Sequence, residues 1–150
     1  MAEVGGVYTH WGRGSCGAGV TMLVGGFMAS ALSSSGAGGV QYLCLSNNPV
    51  VDQQQSGNQG SADIYPVEYH DNSALAMLNA LSNFDAVCAV CQSPARSWAL
   101  TVSGQPECPP SFVLDYDGYL MAELASDAGR SEYICVDKAR GQGRQRRRCG

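Results

Sequence analysis

Apolar and β-branched residues come along this chain in short bursts, each closed by glycine, serine or asparagine. "TMLVGGFM" (21–28), "VQYLCL" (40–45), "WALTV" (98–102), "FVLDYDGYLM" (112–121) and "YICV" (133–136) have the composition and the breaks of β-strands. "DIYPVEYH" (63–70) contains a proline, which cannot donate to a ladder, so it reads as an edge strand at best. "SNNPVVDQQQSGNQGSAD" (46–63) is a polar loop rich in turn formers. Helical spacing occurs once, in "DNSALAMLNALSNF" (71–84). There Leu75, Leu78 and Leu81 recur, and Asp71, Asn72 or Ser73 can cap. The pattern predicts a mainly β fold, built of short hairpins with one short helix.

The bursts repeat. Gly26-Phe27-Met28 begins ten residues after Cys16, and Gly118-Tyr119-Leu120 begins ten after Cys108. Tyr42 stands two before Cys44, as Tyr133 stands two before Cys135. Cys16 to Cys44 is 28 positions and Cys108 to Cys135 is 27. Such self-similarity predicts two tandem cysteine repeats, 7–97 and 98–138, the second a truncated copy that lacks a closing "CAVC". The remaining segment, 139–150, is expected to be a disordered basic tail.

Charge sharpens that boundary. Residues 1–138 hold 13 acids against Arg13, Arg96, Arg130 and Lys138, a net of −9; residues 139–150 hold five arginines and no acid, +5. An acidic body repels nucleic acid. The basic end beside it reads as a solvated arm or an aberrant C-terminus. Only 15% of residues are charged and 45% are hydrophobic. The longest apolar run, "VTMLVGGFMASAL" (20–32), is too short and glycine-rich to span a membrane as a helix. Seven cysteines point to an oxidising, extracellular setting, because reducing compartments give thiols little structural use. No signal peptide is visible in this stretch.

Cys88 and Cys91 form the sole C-x-x-C. A structural zinc wants four ligands, and His10 and His70 stand apart, so no metal is expected. A redox pair would open a helix, which Pro94 disfavours. Bridges back to earlier cysteines are the favoured use, with their pairing open. No nucleophile elbow or phosphate loop occurs, so neither an enzyme nor a cofactor is expected. Tyr8, Trp11 and Arg13, beside Cys16, are the binding candidates: a Trp and an Arg there can hold an interface or a sugar ring. With the loop 46–63 they would line a lectin-like groove. The alternative is a Trp11 packed in the core near a bridge.

"YTHWGRGSC" (8–16), "GGFMAS" (25–30), "YLCL" (42–45), "IYPVEY" (64–69), "VCAVC" (87–91), "DGYLM" (117–121) and "RSEYICVD" (130–137) together resemble the globular domain of invertebrate short-chain, spongin-type collagens. That domain is related to the carboxy-terminal non-collagenous domain of type IV collagens. The resemblance implies an extracellular matrix structural domain that associates with itself or other matrix chains. It implies the bridges Cys16–Cys91 and Cys44–Cys88. Cys108 and Cys135 match the first two cysteines of the second repeat, without their partners, and Cys149 is left unassigned. No Gly-X-Y tract precedes the domain here.

Overall fold

The computed structural model describes residues 5–145, other than 35, 37, 51, 58–63, 71–75 and 95. The fold is mainly β. Its strands are β1 (Gly6–Trp11), β2 (Thr21–Ser30), β3 (Leu43–Ser46), β4 (Tyr65–Pro66), β5 (Phe84–Ser93), β6 (Gly118–Met121), β7 (Ile134–Asp137) and β8 (Gln142–Gln145). They form one sheet in the order β3-β2-β5-β1-β7-β6, with β4 also on β2 and β8 on β5. No helix among the described residues is long and apolar enough to cross a membrane.

β5 is the spine. Its second half pairs with β1 on one side, from Gly6↔Ser93 to Trp11↔Cys88, and with β2 on the other, to Phe27↔Val87. Beyond these pairings its first half stays covered. β8 takes over on the β1 side, at Phe84↔Gln145 and Ala86↔Gln142. Residues 65–69 take over on the β2 side: Ala86 N–H donates to Val67 O at 2.8 Å and Tyr69 N–H to Phe84 O at 3.0 Å. A strand buried on both faces reads as a near-continuous apolar run, and "AVCAV" in β5 does. The core lies on one face and contains Met28, Tyr42, Tyr69, Leu78, Ala86, Cys88, Ile134 and Val136, with Trp11 and Cys44 packed against it.

Two hairpins share one register. In β2–β3, Gly26 faces Ser46 and Met28 faces Cys44. In β6–β7, Gly118 faces Asp137 and Leu120 faces Cys135. Glycine is required at both corners. A Cβ on Gly26 would lie 1.6 Å from the Leu45 carbonyl oxygen, and one on Gly118 would lie 2.1 Å from that of Val136. The β6–β7 hairpin joins the rest of the sheet through β7, which runs parallel to β1 at Trp11↔Val136.

Several expectations need correction. Of the helix expected over 71–84, the described part holds a 3₁₀ segment, Ala76–Leu81; residues 71–75, with the proposed caps, lie outside the described residues. Asn83 then adopts φ 63° and the chain turns into β5, so the periodic leucines end in a strand's entrance. "WALTV" forms no strand, and Trp98 and Leu100 stand exposed. In "FVLDYDGYLM" only the last four residues pair, after Ser111 takes φ 75°. Residues 6–11, given no element by the pattern, form β1. The stretch from 139 is not wholly irregular, since 142–145 form β8; residues 146–150, Cys149 included, lie outside the described residues.

Candidate association surface

Alternation explains the two cysteines of "CAVC". Side chains of a strand point to opposite faces in turn, so positions three apart diverge. Cys88 and Cys91 both lie in β5 and face opposite ways. Such a pair cannot grip one ion or close on itself. Each sulfur instead staples its own face. Cys88 is joined to Cys44 of β3 and Cys91 to Cys16, with Cα separations of 5.7 and 5.8 Å. These are the two pairs that the resemblance implies. Both β5 cysteines are fully buried. In the chain-entropy picture a crosslink spanning 44 residues contributes about 4 kcal/mol; the loops overlap, so the two do not add.

The same alternation divides the proposed binding trio. Tyr8 stands opposite Cys91 and Trp11 opposite Cys88, so the two rings occupy opposite faces of β1. Trp11 leans edge-on against Tyr42, centroids 6.4 Å apart, and packs on the core. Arg13 Nη1 donates to the Ala139 carbonyl at 2.8 Å. Burial raises the Tyr8 hydroxyl pKa, and Asp115 raises it further. The three residues therefore do not line one groove. Of the loop 46–63, the described part contributes Ser46, Asn47 and Pro49 to a shallow groove of about 290 Å³, shared with Phe27, Leu45, Ile64 and Pro66 among others.

A buried contact that the spacing gave no sign of joins the two hairpin units. His10 Nε2 lies 2.6 Å from Asp137 Oδ2, although 127 residues separate them. The Tyr116 ring stacks on the imidazole at 4.1 Å, and its hydroxyl donates to the Cys135 carbonyl at 3.0 Å. Burial drives the Tyr116 hydroxyl pKa well up, chiefly by desolvation. Burial likewise pushes that of Tyr69 up to about 12. Asp137 Oδ1 also accepts from Ala139 N–H at 2.6 Å. The alternation of "VYTHW", with His10 on the face of Tyr8, was the one available hint of a buried histidine.

Cys108 and Cys135 are free thiols and half-buried. Burial raises the Cys135 thiol pKa, with Asp117 and Asp137 adding to it. The second hairpin exposes what the first one buries. Met28 is 2% exposed, and Leu120, at the same register position, 55%; Tyr42 is 8% exposed and Tyr133 74%. Val113, Leu114 and Leu124 add to this apolar surface. Exposed apolar side chains of this size, where they gather, mark interaction sites. No protein-family model and no solved structure matches this chain.

Proposed function

We propose that this is an extracellular matrix structural domain that acts through chain association or adhesion, and that it is built from two tandem copies of one cysteine unit. The single observation behind this reading is the shared register: glycine corner, apolar residue opposite cysteine, in β2–β3 and again in β6–β7. The resemblance to short-chain collagen globular domains, carried by motifs in both halves of the chain, supports the same reading. Two disulfides fit an oxidising, secreted setting. The apolar side chains left outside on the second unit supply a surface for partners, either further copies or other matrix chains. Its work is geometric: covalent staples hold the sheet rigid and the exposed strand edge and apolar residues meet the partner.

Sedimentation velocity of secreted material, with and without solubilised matrix, tests the reading. Association expected at micromolar concentration should weaken when Leu120 and Tyr133 are both changed to Asp. A chain that stays monomeric and ignores matrix proteins at all concentrations refutes it.

A further inference from the structure

Away from the His10–Asp137 contact, the loops that close the two hairpins also meet. The loop from β2 to β3 lies against the loop from β6 to β7: Gly129 N–H donates to Ser33 O at 3.0 Å and Glu132 N–H to Val40 O at 3.0 Å. Tyr42 N–H donates to Glu132 Oε1 at 2.9 Å, and the Tyr42 hydroxyl is hydrogen-bonded to Ser131 Oγ at 2.8 Å. Ser131 Oγ also accepts from Glu123 N–H at 2.9 Å. Between the loops lies a cavity of about 130 Å³, lined by Ala31, Gly38 and Gly39 from one side and by Glu123, Gly129 and Arg130 from the other. It carries charges of both signs. Neither Glu123 nor Arg130 takes part in an ion pair among the described residues. One Glu123 oxygen is buried without a hydrogen-bond partner among them. Burial, with Asp127 adding, raises the Glu123 carboxyl pKa, and a cationic group beside the carboxyl offsets both causes.

We propose that this cavity between the two hairpin loops binds a small zwitterion, an α-amino acid. Charge selects the class. A lone ammonium suits Glu123 but faces Arg130 as well, and a lone carboxylate meets the reverse problem. A molecule carrying both charges pairs its ammonium with Glu123 and its carboxylate with Arg130. Size selects within the class, because the cavity is smaller than the pockets that hold drug-sized ligands. Leu32 and Val40, also in the lining, offer an apolar wall to a short side chain. Glycine keeps the space open: a Cβ on Gly39 would meet nothing within 4 Å, so a side chain there has only the cavity and solvent to enter. The site goes beyond the association reading and needs neither a second copy nor a matrix chain. Its ligand touches both units at once.

Titration of the full chain with L-alanine, followed by amide NMR shifts, tests this. The expected result is saturable binding, with the shifts centred on 36–40 and 123–130. Ethylamine, which has only the ammonium, and propionate, which has only the carboxylate, should each bind at least about tenfold more weakly. Glu123→Gln and Arg130→Gln should each weaken alanine by a similar factor. Gly39→Val fills the cavity from its open side; it should abolish binding and leave the urea unfolding midpoint unchanged. Three results would overturn the proposal. One is no saturation by about 10 mM alanine. Another is ethylamine or propionate binding as tightly as alanine, which would mean that a single charge is read. The last is alanine binding that survives Gly39→Val in a folded chain, which would put the ligand elsewhere.

Discussion

At the scale of single residues, the two corner glycines decide most. Gly26 has backbone of β3 where a side chain would be. Gly26→Ala must push β3 off β2, and with it Cys44 away from Cys88. We expect a loss of about 2–4 kcal/mol in urea unfolding, larger than the usual single-mutation cost; an unchanged midpoint would mean the corner is not strained. Glu123 runs the other way. Burial raises its carboxyl pKa, with Asp127 adding to it, and one of its oxygens is buried without a hydrogen-bond partner among the described residues. The folded state therefore holds this proton more tightly than the unfolded chain does. That contribution is complete below the unfolded pKa and is lost as pH rises through the folded one. Glu123→Gln should raise stability at neutral pH and leave it nearly unchanged near pH ~4. A mutant less stable at pH ~7 than the parent contradicts this. The glycines were legible as positions recurring ten residues after Cys16 and Cys108. Glu123 was not, because its burial comes from chain far away in sequence.

At the scale of elements, β5 and the contact between β1 and β7 carry the architecture. The strand character of "VQYLCL", "TMLVGGFM" and "YICV" could be read in advance, since β-branched and aromatic residues with glycine breaks act locally. The helix over 71–84 could not be judged so. Its leucine spacing suits a helix, but Tyr69 and Phe84 must pair across it, with Asn83 N–H donating to Tyr69 O at 2.9 Å, which ends the 3₁₀ segment at Leu81. "WALTV" has strand composition without a partner strand, and composition alone cannot supply one. Loss of either staple tests β5 directly. Cys44→Ser with Cys88→Ser should cost about 2–5 kcal/mol and free the β3 edge to exchange. The His10–Asp137 contact fastens the second hairpin to the first. His10→Leu leaves a buried carboxylate short of a donor, and we expect about 3 kcal/mol of destabilisation. Hydrogen exchange should show it first in β6 and β7; uniform loosening of the whole sheet would argue against a local clasp.

At the scale of the whole molecule, the mainly β fold class was within reach of the sequence, because strand composition and glycine breaks are properties of the chain itself. The placement of the binding trio was not. Tyr8, Trp11 and Arg13 are close in sequence, but a strand sends neighbours three apart to opposite faces, and proximity along the chain misled. The disulfide pairs were open from spacing alone and were supplied by the resemblance. The His10–Asp137 pair lies across most of the chain and has no local signature. The stapled sheet with an exposed second hairpin is the physical basis of the proposed association. Non-reducing peptide mapping of the chain recovered from the medium of secreting cells tests this most directly. The account predicts fragments joined as Cys16–Cys91 and Cys44–Cys88, with Cys108 and Cys135 either free or bonded to another chain. Recovery of Cys88 and Cys91 as free thiols, or joined to any other cysteine, would contradict it.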